Sequence, residues 1–272
     1  TATTADIQAA ADAVTAANAA AEAAQTAANT SLGQDASPVA NEKTVQDAKT
    51  ALQTLIDNPT SSTTAVNDAA AAYDQAIKDA KIARDDANDK ANTALNQDAS
   101  PVDNEQPVHD AKDKLQNTLD DSSATTDDIN KAAEDYTKAI DDAKDARDDA
   151  NDKATTALNQ DASPVENEKP VQDAKDKLQN TVDDPAATTD DIKKATEDYT
   201  KAIDDAKDAR NDANDKANTA LNQDASPVEN EQPVQNAKDK LQNTVDDPTA
   251  TTDDIKKAAE DYTNAIDDAK EA

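Results

Sequence analysis

The sequence predicts an all-α protein built as a tandem array, and three observations carry that prediction. The hexapeptide Gln-Asp-Ala-Ser-Pro-Val begins at Gln34, Gln97, Gln160 and Gln223, a fixed period of 63 residues. A period of this size marks a repeat architecture rather than one large globule. Within each period, apolar residues recur three and four apart, the spacing of one helix face. Finally, the 272 residues include one Gly and ten Pro, and the Pro fall at loops and helix starts, so no breaker interrupts the long stretches between them.

Composition limits the core and the partners. There are four Tyr and no Phe, Trp, Met or Cys, so Ala supplies most of the apolar area and each Ala buries little. A mean hydropathy of −0.96 would also suit a disordered chain. Abundant helix formers, the single Gly and the regular apolar spacing oppose disorder. The net charge of −32 repels nucleic acid and anionic membranes alike. No run approaches the ~18 apolar residues of a membrane span. Without Cys there is no disulfide framework. The chain has neither an initiator Met nor a signal peptide, and is expected to be a piece of a longer protein.

The first 33 residues hold 15 Ala, three acids and no Lys or Arg. They predict one helix ending at Leu32, with Gly33 as its C-cap. Asn96, Asn159 and Asn222 hold the same place in later copies, and Gly and Asn are the residues expected where a helix ends in a left-handed turn. Ile7 precedes Gln34 by 27 residues, whereas Val66 precedes Gln97 by 31; one helical turn is missing from the first copy. The loop that follows offers Ser163-x-x-Glu166 and Ser226-x-x-Glu229 as capping boxes with Pro at the first helical position. A second Pro at 107, 170 and 233 should open a short helix, running in copy 3 from Pro170 to about Val182, with Val171, Ala174, Leu178 and Val182 on one face. Next, Thr188-Thr189-Asp190-Asp191 supplies a cap and two acids suited to a helix N-terminus. The stripe Ile192, Ala195, Tyr199, Ala202, Ala206, Ala209, Ala213, Ala217, Ala220, with Ile203 and Leu221 beside it, then predicts an unbroken helix of about 32 residues, roughly 48 Å long.

A short helix between two long ones can pack on the second half of the first and the first half of the next. The expected architecture is therefore an elongated array of three-helix bundles joined by shared continuous helices, as in spectrin-like rods, with a curved α-solenoid as the alternative. Its parts would be a helical extension over 1–16 and repeats over 17–80, 81–143, 144–206 and 207–272.

The positions Val171, Ala174, Leu178, Val182, Pro185, Thr188, Ile192, Ala195, Tyr199, Ala202 and Ile203 form a pattern that resembles the FIVAR-type three-helix modules of Gram-positive surface proteins. The resemblance covers about half of each 63-residue unit. Where that family carries aromatic residues between its first two helices, this chain has Pro-Val. The resemblance implies tandem modules in the stalk of a wall-anchored adhesin, and so an extracellular location.

No candidate site rises above packing or solvation. His109 is the only His, and Gln46, Gln172 and Gln235 occupy its place elsewhere, so neither a metal nor a catalytic role is assigned to it. There is no nucleophile–base set and no Gly-rich phosphate loop; the chain is expected not to be an enzyme and to need no cofactor. Asp204, Asp205, Asp208, Asp212 and Asp215 crowd one helix, but the Asp-x-Asp-x-Asp-Gly loop of a Ca²⁺ site is absent. Interleaved with Lys207, Arg210 and Lys216, they suit a solvated face. Tyr199 and its equivalents Tyr73, Tyr136 and Tyr262 are expected to pack in the core, with the hydroxyl at the bundle edge.

Two functions fit. One is a stalk or spacer that projects a binding domain, for which residues 161–206 and 224–269 offer an argument: they differ at five of 46 positions, none of them a large apolar residue. The other is a repeated adhesion module that binds a host or matrix protein through a helix face. The expected partners are neighbouring repeats, and the expected state is a monomer.

Overall fold

A computed structural model describes residues 2–272, and its regular structure is helical, with no strand among the described residues. In chain order the helices are α1 (Thr4–Leu32), α2 (Lys43–Asp57), α3 (Thr63–Leu95), α4 (Gln106–Asp120), α5 (Thr126–Leu158), α6 (Lys169–Asp183), α7 (Thr189–Leu221), α8 (Gln232–Asp246) and α9 (Thr252–Glu271). The all-α class and the alternation of short and long helices follow the sequence. α7 has 33 residues and no break, as the absence of Gly and Pro between Pro185 and Pro227 predicts.

Helix starts follow local chemistry in some places and not in others. α7 and α9 each open on a Thr N-cap that accepts a bond from the third helical amide, while the Asp at that position reaches back to the cap amide. Thr188 with Asp191 and Thr251 with Asp254 thus satisfy donors that a helix start leaves unpaired. The Ser163 and Ser226 capping boxes do not form. The Ser163 and Ser226 amides donate to Asp161 and Asp224 at 2.9 Å, turning the loop, and α6 and α8 begin six residues later with Pro in the first turn. The left-handed helix end is also corrected. Gly33, Asn96 and Asn222 all lie at negative φ near −90°. Asn96 suits the place for another reason: its side-chain amide donates to the Asn92 carbonyl at 2.9 Å, supplying one of the partners that the last turn lacks.

The chain divides into two compact units, one holding the residues up to Ala99 with Gln106–Asp141, the other Ser100–Glu105 with Asp142–Ala272. In the first unit a core forms from Ala24 and Ala28 of α1, Val45 and Leu52 of α2, and Val66, Tyr73 and Ile77 of α3, with Val39 from the loop. The second unit holds two such cores. Ala150, Ala154 and Ala157 of α5 meet Val171 and Leu178 of α6 and Ile192, Tyr199 and Ile203 of α7. Further along the chain, Ala213, Ala217 and Ala220 of α7 meet Val234 and Leu241 of α8 and Ile255, Tyr262 and Ile266 of α9. One continuous helix, α7, therefore lines two cores. Its buried stripe is Ile192, Ala195, Tyr199, Ile203, Ala206, Arg210, Ala213, Ala217 and Ala220. The sequence placed Ala202 and Ala209 on that line; the side chains one residue further on, Ile203 and Arg210, occupy it instead.

The small residues and the single ring divide the work. Ala on one helix lets its neighbours approach closely, and Tyr fills the space this leaves. Tyr199 is 1% exposed, and no tyrosine oxygen is among the buried side-chain atoms that lack a hydrogen-bond partner. Burial pushes the Tyr136 and Tyr199 hydroxyls above the ordinary phenol range, because the interior disfavours the phenolate.

Two measurements test this core. Exchanging Tyr199 for Ala should cost on the order of 3 kcal/mol in denaturant unfolding, and a loss of only a few tenths would show that the ring does not support the core. In alkali, tyrosinate absorbance should rise at a higher pH for the folded chain than for the unfolded one. The neutral ring's contribution is complete below the unfolded pKa near ~10 and disappears as pH rises through the folded value. Coincident titrations would contradict the burial.

Candidate functional site

The most built constellation is the contact between successive repeats. Arg84, Arg147 and Arg210 are the only arginines, each lies mid-way along a long helix, and each is 5% exposed. The Arg84 guanidinium donates to the Ala124 carbonyl in the turn before α5. Arg147 does the same to Ala187, and Arg210 to Ala250, with a second bond to Asp247 O at 3.3 Å. Arg presents several donors in a rigid fork and stays charged when buried. Here it supplies bonds to loop carbonyls that would otherwise face a closed surface.

Carboxylates complete the contact from the other side. Glu42 Oε1 accepts the Thr126 amide at 2.5 Å and its hydroxyl at 2.6 Å. Glu105 accepts the Thr189 amide and Glu168 the Thr252 amide, each at 2.6 Å. These threonines are the first residues of α5, α7 and α9, where unpaired amides and the helix dipole both favour a negative charge. Asn41 and Asn104, next to Glu42 and Glu105, donate to Ser123 O at 3.1 Å and Ala186 O at 3.3 Å. The three pairs of Glu and Thr are each 84 residues apart, so every one joins the loop of one repeat to the long-helix start of the next. This explains why α6 has Glu168 as its N-cap but no side-chain cap bond: that carboxylate is already engaged across the contact.

Local electrostatics agree. Bonds from Thr249, and then the charge of Arg210, hold Asp247 below the ordinary carboxylate range. The cap bonds from Thr188 and Thr251 lower Asp191 and Asp254 in the same way. The bond from Lys177 lowers Asp198, and the two side chains pair between α6 and α7 at 2.8 Å. That pair is more than one-third exposed on each side, so it contributes little to stability.

The residues singled out in the sequence lie elsewhere. His109 is exposed on α4, and Asp204, Asp205, Asp208, Asp212 and Asp215 are exposed on α7. Among the described residues no group of three His, Cys, Asp or Glu gathers in a metal-holding arrangement, and no helix is long and apolar enough to cross a membrane. Two cations assigned to the solvated face are not simply solvated. Arg210 is buried, and Lys207 donates to Asp161 O at 3.1 Å, tying the long helix to the loop before α6. Shallow grooves of about 740, 730 and 720 Å³ recur between short and long helices in the last three repeats, lined mainly by Asp, Asn, Thr, Lys and Ala and by no aromatic residue. Sequence reasoning missed Glu42, Glu105 and Glu168 and misjudged the arginines. One signal was available: the chain uses Lys freely, yet keeps Arg at a single position in each of three copies.

No protein-family model, curated protein or solved structure matches this chain.

Two substitutions test the contact. Arg210→Met should lower unfolding stability by about 1–3 kcal/mol, because the Ala250 and Asp247 carbonyls lose their donor, and should raise the Asp247 pKa as seen by carboxyl NMR. An unchanged Asp247 together with unchanged stability would show that the guanidinium is not engaged. Thr188→Ala should return Asp191 toward the ordinary range. The depressed carboxylate stabilises the fold above its unfolded pKa of ~3.9, and this contribution is lost as pH falls through the lower folded value. The variant should therefore unfold with less dependence on pH below ~4 than the parent.

Proposed function

We propose that the chain is a set of structural spacer repeats, an elongated series of three-helix bundles sharing continuous helices, which projects a binding domain away from a bacterial cell wall. One observation carries this reading: residues 161–206 and 224–269 differ at five of 46 positions, and none of the five is a large apolar residue. Repetition of an unchanged unit adds length, which is what a spacer requires. The outward faces support it as well. Among the described residues the only large apolar side chains left exposed are Ile7, Val14 and Ile82, so the later repeats offer no apolar patch of the kind that anchors a protein partner. The arginine and glutamate contacts between repeats favour a stiff connection, and the charge of −32 favours extension and keeps neighbouring chains apart. The extracellular, wall-anchored setting rests on the resemblance to FIVAR-type modules.

Small-angle X-ray scattering at low and high salt tests the reading. A compact chain of this length would have a radius of gyration of roughly 18–19 Å, and an unfolded one roughly 58 Å. Four bundles in line make a rod of about 120 Å, with a radius near roughly 35 Å. A value near the rod estimate at both salts is expected. A compact value would end the spacer reading, and a value that collapses in salt would assign the extension to charge rather than to helices.

A further inference from the structure

α1 opens with the same signature as the long helices that end a core. Thr3 accepts from the Asp6 amide and Asp6 reaches back to Thr3, as Thr188 and Asp191 do for α7. Thr1-Ala-Thr-Thr-Ala-Asp-Ile7 matches Thr249-Ala-Thr-Thr-Asp-Asp-Ile255 at six of seven positions. Counting from the N-cap, Ile7 stands where Ile192 does, Ala10 where Ala195 does, and Val14 where Tyr199 does. In α7 those three residues are 0%, 2% and 1% exposed. In α1, Ile7 is 63% and Val14 60% exposed, Ala10 is exposed, and the first buried residue is Ala24. A helix beginning for a three-helix core is present, with two of the three walls unfilled.

We propose that the face Ile7–Ala10–Val14 is a docking surface for a helix pair of the repeat's own kind: an Ala-striped half-helix followed by a short helix with Val and Leu seven residues apart. The matching core names this occupant, since Ile192, Ala195 and Tyr199 are covered by Ala150, Ala154 and Ala157 on one side and by Val171 and Leu178 on the other. The charge pattern agrees. Residues 4–20 carry only Asp6 and Asp12, so the face avoids the like-charge repulsion that the acid-rich long helices would bring to a partner of the same sign. Val14 in place of Tyr199, and Asn18 in place of Ile203, make this face less bulky than its counterpart on α7. This face depends on repeat packing alone, whatever role the array serves.

The test joins residues 144–185 ahead of Thr1 of the full chain, which recreates the Pro-Thr-Ala-Thr-Thr passage found at Pro248–Thr252. Amide hydrogen exchange by NMR is then read at Ile7, Ala10 and Val14, with the unmodified chain as reference. In the unmodified chain this stretch is a lone exposed helix, which opens readily. The added pair should slow exchange there by on the order of 100-fold, as expected when local opening becomes coupled to a core. Ile7→Asp with Val14→Asp should abolish the slowing while leaving the amides of Tyr199 and Tyr262 unchanged. Exchange that does not change on fusion would overturn the proposal. So would sedimentation showing that the unmodified chain already dimerises through this face, since a second copy would then be its occupant.

Discussion

Everything in this fold depends on a long helix that must bury one face in two successive cores without breaking. α7 does so because its buried side chains keep steps of three and four from Ile192 to Ala220, a near-heptad spacing that holds one line along the helix. Large residues lie in its first half, where it is the third helix of one core, and Ala lies in its second half, where it is the first helix of the next. This asymmetry lets both halves pack at native density: the bulk of Tyr and Ile on one helix is matched by the smallness of Ala on its neighbour.

Between the two halves the stripe reaches a place where no apolar core is available, and the residue there is Arg210. Burying a charge is costly unless it is bonded. Its cost is offset by two carbonyls of the turn before α9 and by nearby Asp247. Glu168 applies the complementary chemistry to the same turn, accepting an amide that the start of α9 cannot pair internally. A basic group on carbonyls and an acidic group on a helix start thus fasten one repeat to the next, in directions that a hydrophobic contact would not specify.

Much was legible in the sequence. The 63-residue period, the Leu32 and Leu221 helix ends, the Thr188 cap and the Tyr core positions all follow from local spacing and from side chains that act on their own backbone. The errors share a cause. Ser163 was assigned a cap because the local pattern permits one, yet its amide turns onto Asp161 and the helix start moves to Lys169. Asn222 was assigned a left-handed turn that its backbone does not adopt. Ala209 was placed on the stripe because it is apolar, whereas burial falls on Arg210.

By itself, then, the sequence determined the helical class, the period, the breakpoints and the polarity of the outer faces, because these follow from propensity and periodicity within about ten residues of chain. Only the tertiary structure decided which charged residues are structural. Glu168 and Thr252 lie 84 residues apart, and Arg210 and Ala250 are 40 apart. No local rule separates a carboxylate that will meet a helix start from the dozens that will meet water. The distinction arises when folding brings a loop and a helix terminus together and excludes solvent from between them.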